Sequence, residues 1–250
     1  MAIHRFFDAD ISPNADIAVL KGENAKHANV LHIRIGEQII ICDGCKNDYL
    51  CEVVEKTKDV VLARVLSNSI NSIEKNPRIT LFQGLVKDSV LEEVIQKAVE
   101  LGIYEIIPVV CEYSISKTYR KALKLSDSSK SGRLERISES AAKQSQRGII
   151  PKVCNFSSFD DAVEKAKKLD LAYACHVGEN IISCKAFLRK ANLQNIETLG
   201  IFIGVEGGFS PNEIQIFKRN GIATVSLGKS ILRLETAAVA AIANLQYELL

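Results

Sequence analysis

The fold is decided at Ile203-Gly204-Val205-Glu206-Gly207-Gly208-Phe209-Ser210-Pro211-Asn212-Glu213, where a buried strand runs into glycines and then into a helix. Ser210 is an N-cap, Pro211 suits the first helical position, and Glu213 completes an S-x-x-E capping box. Because the helix start is fixed, the loop before it is fixed too, and its glycines allow the backbone to approach a ligand closely. The alternative is a tight strand-to-helix turn. The loop is not a P-loop, since no Gly-Lys-Ser/Thr follows it.

A second glycine loop lies at Ser226-Leu227-Gly228-Lys229-Ser230-Ile231-Leu232-Arg233-Leu234-Glu235-Thr236-Ala237. A strand ends at Leu227, and an irregular, largely apolar stretch leads into a helix, which indicates packing inside the protein or over an apolar ligand. Arg233 and Glu235 need partners if they are buried, so the alternative is a salt bridge that holds the turn. The ligand-binding interpretation is favoured because both loops end strands of one α/β sheet, where ligands of that architecture bind.

The chain from Arg78 onward alternates strand and helix patterns. The predicted strands are Ile79–Phe82, Ile106–Val110, Leu171–Cys175, Leu199–Ile203 and Thr224–Leu227. The predicted helices are Ser89–Leu101, Leu134–Gln146, Phe159–Leu169 and Glu235–Leu250. Strands separated by helices predict a mainly parallel α/β sheet.

The first seventy or so residues are β-rich instead. Short β-branched or alternating runs at Gln38–Cys42, Tyr49–Glu55 and Val60–Leu66 predict a small barrel or sandwich. The polar stretch Asn68–Pro77 ends in proline, which suits a linker.

Composition is that of a globular protein, with 250 residues, 47% hydrophobic and 25% charged. The net charge is only +2, but ten Lys or Arg lie between Lys117 and Lys152 against three acids. This basic segment either attracts a polyanion or forms a solvated helix face, and the sequence leaves both interpretations open.

Seven cysteines and the absence of an export signal or a long apolar span predict free thiols in the cytoplasm, with no membrane association. Cys42-x-x-Cys45 lacks a second ligand pair nearby, and no histidines have metal-ligand spacing, so we expect no metal.

The two glycine segments resemble the G-P-E-G-G-F and L-G-x-R-I-L-R-x-E-T-A signatures of the RsmE family, the 16S ribosomal RNA uracil-N3 methyltransferases. The resemblance extends along the whole chain. Its other matching positions are His4-Arg5-Phe6-Phe7, His27 with Val30-Leu31, Gly36, Asp43-Gly44, Gln83, Lys87, Gln96–Gly102, Pro108, Ala141, Gln144, Ser145, Arg147 and Pro151. The sequence departs from the family pattern at Val205 (usually proline), Tyr113 (commonly arginine), Lys229 (arginine) and Leu234 (threonine).

The resemblance implies an α/β fold with two domains. Residues 1–73 would form a small PUA-like, RNA-binding β-barrel, and residues 74–250 a SPOUT-type methyltransferase domain with a deep trefoil knot. The implied activity is S-adenosyl-L-methionine-dependent methylation of N3 of a specific uridine in 16S ribosomal RNA. The alternatives are a SPOUT methyltransferase with another RNA target and a non-catalytic RNA-binding ribosome assembly factor.

The resemblance also implies a set of site residues. Cofactor-binding candidates are His176, Gly204, Glu206, Gly207, Gly208, Leu227, Gly228, Ile231, Leu232, Arg233 and Thr236. Catalytic candidates, among which the base is not ranked, are Glu206, Arg233, Glu235 and Arg147. RNA-binding candidates are His4, Arg5, His27, Arg34, Arg133, Arg136, Gln144 and Arg147, contacting 16S rRNA or the small ribosomal subunit.

The final helix is rich in alanine, which lets another helix approach closely. One side of this helix packs on its own sheet, and the alanines around the rest of it predict a second packed face. Because the resembling SPOUT enzymes are dimers, we expect a C2 homodimer with this helix near the contact. The variant Ala241→Arg tests this dimer, because an arginine on the contact face should yield monomers.

Overall fold

A computed structural model of the chain describes residues 3–74, 77–114, 128–178 and 181–249, without the side chains of residues 128–131. The chain divides into two compact units. The N-terminal unit is Met1–Glu74 with Ala142–Ile150, and the C-terminal unit is Lys75–Ala141 with Pro151–Leu250. The sequence did not indicate that residues 142–150 belong with the first unit. The domain boundary at residue 73 stays a prediction.

One five-stranded sheet and one helix form most of the N-terminal unit. They are β1 (His4–Phe7), β2 (Ile17–Lys21), α1 (Gly22–Val30), β3 (Gln38–Cys42), β4 (Asn47–Lys56) and β5 (Val60–Ile70). The strand order is β1-β3-β4-β5-β2, with β1 parallel to β3 and the other neighbours antiparallel. The three predicted strands are confirmed as β3, β4 and β5. The linker predicted from Asn68 was wrong in its first residues, because β5 stays paired with β4 as far as Ile70.

A single apolar core receives side chains from all five strands and α1. In β4 the buried residues Tyr49, Cys51 and Val53 alternate with more exposed ones, which is the period that made this strand predictable. The helix α1 buries only Ala25 and Ala28, so it has little amphipathic pattern and was not predicted. One sheet around one core agrees with a small barrel rather than a two-sheet sandwich.

The C-terminal unit contains the predicted parallel sheet. Its strands are β6 (Arg78–Gly84), β7 (Glu105–Val110), β8 (Lys152–Val153), β9 (Ser157–Ser158), β10 (Leu171–Cys175), β11 (Thr198–Ile203) and β12 (Ala223–Val225). The order is β12-β10-β11-β6-β7-β8, with β9 also pairing with β7, and all these pairs are parallel. The mainly parallel α/β sheet is therefore confirmed.

Helices follow most of these strands. They are α2 (Asp88–Glu100), α3 (Ser128–Gln144), α4 (Phe159–Ala166), α5 (Cys184–Lys190), α6 (Pro211–Arg219) and α7 (Leu234–Leu249). Within the described ranges, no helix has both the length and the apolar character needed to cross a bilayer.

Close packing fixes where the first glycine loop leaves the sheet. The rings of Phe82 and Phe202, on neighbouring strands, stack with centroids 4.3 Å apart, and Phe217 of α6 meets Phe202 edge-on at 4.9 Å. A Cβ on Gly84, at the end of β6, would lie 2.7 Å from the carbonyl carbon of Gly204. The strand end therefore lies so close to the loop that position 84 has no room for a side chain, which needs glycine.

Candidate active site

The first glycine loop is a tight turn from Val205 to Gly208. The Gly208 N–H donates to the Val205 carbonyl oxygen at 2.8 Å, which places Glu206 and Gly207 at the exposed tip. Gly208 has a φ of +72°, in the left-handed region that favours glycine. A Cβ on Gly204 would lie 3.0 Å from the Gly208 carbonyl carbon, so the turn leaves little room for any other residue there.

The capping box predicted at the start of α6 is confirmed. The Glu213 N–H donates to Ser210 Oγ at 3.1 Å, and the Ser210 N–H donates to Glu213 Oε2 at 2.8 Å. The Glu213 side chain is 3% exposed, and its other oxygen, Oε1, accepts the Glu112 N–H at 2.8 Å. One buried carboxylate therefore holds both the start of α6 and the segment that follows β7. The sequence could not show the second contact, because the partners are 101 residues apart.

The second glycine loop is held by its neighbours on both sides. The Ser226 hydroxyl donates to the Gly228 carbonyl oxygen at 2.9 Å and accepts the Gly228 N–H at 3.3 Å. The Ser226 N–H donates to the Ile182 carbonyl oxygen at 2.9 Å, and the Cys184 N–H donates to the Ser226 carbonyl oxygen at 2.8 Å. Gly228 has a φ of +155°, which side chains with a Cβ rarely adopt. The loop ends where α7 begins, at Leu234.

A cavity of about 770 Å³ is lined by both loops and by the end of β10. This volume falls within the roughly 300–1,000 Å³ typical of small-molecule sites. Ten of the eleven cofactor-binding candidates line it, namely His176, Gly204, Glu206, Gly207, Gly208, Leu227, Gly228, Ile231, Leu232 and Arg233. Thr236, which is exposed in the first turn of α7, is not among the lining residues. The cavity lies at the carboxyl edge of a parallel sheet, where α/β proteins bind ligands.

The wall formed by the end of β10 is electrically neutral at neutral pH. Burial lowers the pKa of His176 below its usual value, so its imidazole carries no proton charge. Burial, followed by the nearby Cys184, raises the pKa of the Cys175 thiol well above its usual range, so this group stays protonated. Among the described residues, no group of three or more His, Cys, Asp or Glu side chains is arranged to hold a metal ion.

Three of the four catalytic candidates lie together at the cavity. Glu206 and Arg233 are exposed at its mouth, and Glu235 is half-buried in the first turn of α7. The pKa of Lys97 on α2 is raised chiefly by its hydrogen bond to Glu93 and, to a lesser extent, by the charge of Glu235. We call Glu206, Arg233 and Glu235 the cavity charges. Their catalytic roles stay predictions.

The fourth candidate, Arg147, is buried in the N-terminal unit. Its side chain is 2% exposed and binds the Glu74 carboxylate through Nε at 2.6 Å and Nη2 at 2.9 Å. The same carboxylate accepts the Gly148 N–H at 3.0 Å. These contacts are those of an ion pair that holds the chain after α3.

Arg5, an RNA-binding candidate, is also buried in a pair. Its guanidinium binds Asp48, with Nη1 to Oδ2 at 3.0 Å and a second bond from Nη2 to Oδ1. Asp48 Oδ2 also accepts the Asn71 side-chain amide at 2.9 Å, and that amide donates to the Gln146 carbonyl oxygen at 3.1 Å. We call Arg5, Asp48, Asn71, Glu74 and Arg147 the polar cluster. It ties residues 146–148 to the strands of the N-terminal unit.

The other RNA-binding candidates have more accessible side chains. His4 and His27 are half-buried, and His27 meets the Phe6 ring edge-on at a centroid distance of 5.6 Å. The exposed candidates are Arg34, Arg133, Arg136 and Gln144. Arg133 is paired with Glu92 on α2, with Nε and Nη2 each 2.9 Å from a carboxylate oxygen. Much of the basic segment, including Lys117, Arg120, Lys121 and Lys124, lies outside the described residues. The RNA-binding roles stay predictions.

Comparisons with known proteins agree with this geometry. Residues 74–246 match a family model described as an RNA methyltransferase domain, and residues 20–66 match an RNA methyltransferase PUA domain. The ribosomal RNA small subunit methyltransferase E of Bacillus subtilis (strain 168) is 30% identical, over 92% of this chain and 89% of that one. The chain belongs to the ribosomal RNA small subunit methyltransferase E family. The resemblance read from the two glycine loops is thereby confirmed.

Other similar proteins match over almost their full length. The Mesomycoplasma hyopneumoniae (strain 232) protein is 30% identical over 95% of this chain and 96% of its own. The Neisseria gonorrhoeae enzyme, solved with bound S-adenosyl methionine, has a TM-score of 0.82 and 27% identity, covering 98% of both chains. A putative methyltransferase from Legionella pneumophila, in complex with the same cofactor, has a TM-score of 0.83 and 27% identity, covering 99% of this chain and 98% of that one. The α/β fold with a PUA-like domain is confirmed, and the trefoil knot stays a prediction.

Proposed function

We propose that the protein transfers a methyl group from S-adenosylmethionine to N3 of a uridine in 16S ribosomal RNA. The observation that carries the proposal is the cavity at the carboxyl edge of the sheet, lined by both glycine loops. Membership of the family supports methyl transfer to small-subunit ribosomal RNA, and the donor-bound structures of similar proteins support the cofactor. The choice of uridine N3 rests on the resemblance of the glycine segments.

The residues of the cavity suit the methyl donor. A Cβ built on Gly208 or on Gly228 meets no atom within 4 Å, so both backbones face open space that a ligand can fill. Leu227 and Leu232 line the same cavity and provide apolar surface for an adenine ring, while the loop backbones provide hydrogen-bonding groups. When bound, the donor supplies a methyl group activated by its sulfonium.

The chain must then position the uracil and remove its N3 proton. Glu206 stands at the exposed tip of the first turn, and we assign it as the base that accepts this proton. Arg233 is exposed at the same cavity. We assign its guanidinium the role of stabilising the negative charge that spreads onto O2 and O4 of the uracil. Glu235, half-buried in the first turn of α7, is assigned a structural role there. Arg147, through its ion pair with Glu74, is assigned the role of positioning the chain segment that follows α3.

The N-terminal unit is proposed to bind the RNA, with residues 1–73 as its PUA-like domain. The exposed guanidinium groups of Arg34 in the N-terminal unit and of Arg136 in the C-terminal unit are available to phosphates, whereas Arg133 would first have to leave its surface pair with Glu92. Binding should weaken with salt. Arg5 would have to break its pair with Asp48 to act in this way, so we assign it to the polar cluster. All seven cysteines carry free thiols, which supports a reducing compartment such as the cytoplasm.

A homodimer is proposed through the outward face of α7. Ala241 is fully buried within the single chain, so an arginine there would test folding instead of assembly. Ala240 is half-exposed, and Tyr247, two turns further along the same face, is 75% exposed, which makes Ala240→Arg the better variant. It should shift the protein from dimer to monomer in sedimentation velocity. A monomeric wild type at micromolar concentration with full activity would contradict the dimer.

Methyl transfer is tested with small ribosomal subunits from a strain lacking the gene. The subunits are incubated with the protein and S-adenosylmethionine labelled in its methyl group, and the RNA is digested to nucleosides for mass spectrometry. We expect the label in N3-methyluridine alone. Label in a ribose-methylated nucleoside would favour another target. RNA binding with no donor binding by calorimetry would favour an assembly factor.

A further inference from the structure

The turn after β7 presents an aromatic side chain to solvent. The Ser114 N–H donates to the Cys111 carbonyl oxygen at 2.9 Å, and the Cys111 N–H donates to Ser114 Oγ at 3.0 Å, which closes the turn around Tyr113. Cys111 is buried beneath it, whereas Tyr113 is 49% exposed. The turn therefore fixes the backbone of Tyr113 and leaves its ring accessible.

This turn is fastened to the first glycine loop. Glu213 binds the Glu112 N–H with one carboxylate oxygen and the Ser210 N–H with the other, each at 2.8 Å. A Cβ built on Gly207 would lie 3.4 Å from Cδ2 of Tyr113 and 3.6 Å from its Cβ, so the tyrosine side chain faces the open side of Gly207. Since Gly207 lines the cavity, the ring of Tyr113 stands beside the cavity mouth.

We propose that the ring of Tyr113 is the surface on which the target pyrimidine stacks when it enters the cavity. This inference rests on the proposed function, because uracil N3 lies on the Watson–Crick edge and cannot react while the base is paired. A base that leaves its stack loses its stacking interactions with the neighbouring bases. Enzymes that modify bases replace these interactions with aromatic or apolar side chains at the pocket. A stacking contact of this kind contributes about 1–3 kcal/mol per base.

The placement separates Tyr113 from an ordinary exposed aromatic residue. Tyr104 lies at the opposite end of the same strand, just before β7, and is 38% exposed. Its ring has the Arg78 guanidinium 5.6 Å from its centroid. Neither tyrosine lines the cavity itself, but Tyr113 lies against Gly207, which does. The two tyrosines flank the same strand, β7, and have similar exposure. They differ in the end of the strand, and so in the edge of the sheet, at which they lie. Tyr104 is therefore the matched control.

The test compares Tyr113→Phe, Tyr113→Leu and Tyr104→Leu with the wild type. Phenylalanine keeps the flat ring, and leucine keeps only apolar bulk. With small ribosomal subunits as substrate, Tyr113→Leu should lose roughly 5- to 150-fold in kcat/KM, the equivalent of one lost stacking contact. Tyr113→Phe and Tyr104→Leu should stay within about twofold of the wild type. The Kd for S-adenosylmethionine should be unchanged in all three variants.

Three results would overturn the inference. The first is an unchanged kcat/KM in Tyr113→Leu, and the second is an equal loss in Tyr113→Phe, which would assign the effect to the hydroxyl. The third is a matching loss of donor affinity, which would give Tyr113 a purely structural role in the loop. An inactive wild type in the same assay would instead count against the proposed function, so the two failures are distinguishable.

A second measurement needs no activity. The chain contains no tryptophan, so Tyr113→Trp and Tyr104→Trp each create a protein with a single tryptophan. A base that stacks on this indole should quench its fluorescence. Adding a single-stranded oligouridylate with S-adenosylhomocysteine should quench Tyr113→Trp at saturation and leave Tyr104→Trp unchanged. Equal quenching of both variants, or quenching of neither, would contradict stacking at Tyr113.

Discussion

The polar cluster of the N-terminal unit and the cavity charges of the C-terminal unit use the same residue types in opposite environments. In the polar cluster, the side chains of Arg147 and Glu74 are 2% and 7% exposed and bound to each other. At the cavity, Glu206 and Arg233 are exposed. A buried charge depends on its partner for stability, whereas an exposed charge contributes little to folding and stays available to a ligand. Burial and pairing, more than residue type, separate a structural role from a chemical one.

The strongest way to break this comparison is to remove one partner of the buried pair. Arg147→Met leaves the Glu74 carboxylate buried without its cation, and the free energy of unfolding should fall by about 3–5 kcal/mol. The double variant Arg147→Met with Glu74→Leu should recover much of that loss. Urea denaturation followed by circular dichroism measures both. A fully stable Arg147→Met protein that binds the donor but cannot methylate would contradict the structural role and indicate that Arg147 acts in catalysis.

Removing one of the cavity charges should lower activity and leave stability nearly unchanged, the reverse of the result for the buried pair. Glu206→Gln keeps the shape of the side chain and removes its ability to accept the N3 proton, so kcat should fall about 100-fold. The free energy of unfolding should change by no more than about 0.5 kcal/mol, because the residue is exposed. Exposed Glu197→Gln is a matched control in the same unit. Turnover of Glu206→Gln at the wild-type rate would exclude Glu206 as the base.

The second glycine loop tests whether backbone shape, rather than charge, holds the donor. At Gly228 the φ of +155° is strained for a β-branched residue, at a cost of about 1–3 kcal/mol. Gly228→Val should therefore weaken S-adenosylmethionine binding by roughly 5- to 150-fold in calorimetry. The control is Gly132→Ala in α3, where an added Cβ meets no atom within 4 Å. Wild-type affinity in Gly228→Val would remove this loop from the donor site.

The smallest expected effect concerns pH. Because burial lowers the pKa of His176 below its usual 6.5, the unfolded chain binds a proton there more readily than the folded one. Stability is therefore fully present above pH 6.5 and declines as the pH falls below that value. His176→Asn should flatten this part of the profile of unfolding free energy against pH. An identical slope in variant and wild type would show that His176 does not titrate in this window.

The predictions that succeeded from sequence are local ones. Ser210 and Glu213 are three residues apart, so their capping box could be read directly, and it fixes the glycine loop before α6. The alternation in β4 and the apolar face of α2 were equally readable. Thr236 was placed in the cofactor set by its motif, yet it is not among the residues that line the cavity. A motif gives the order of residues but not the direction of each side chain on a helix.

The sequence by itself determined the family, the parallel sheet and the two glycine loops, because caps, turns and hydrophobic periods act over a few residues. Only the tertiary structure decided which charges are buried. Arg5 and Arg147 stand in motifs that suggested RNA contact, and their partners Asp48 and Glu74 lie 43 and 73 residues away. The tertiary structure also brought Tyr113 against Gly207, through a carboxylate that contacts Glu112 across 101 residues. Such contacts arise from packing of distant segments, which no short-range pattern in the chain records.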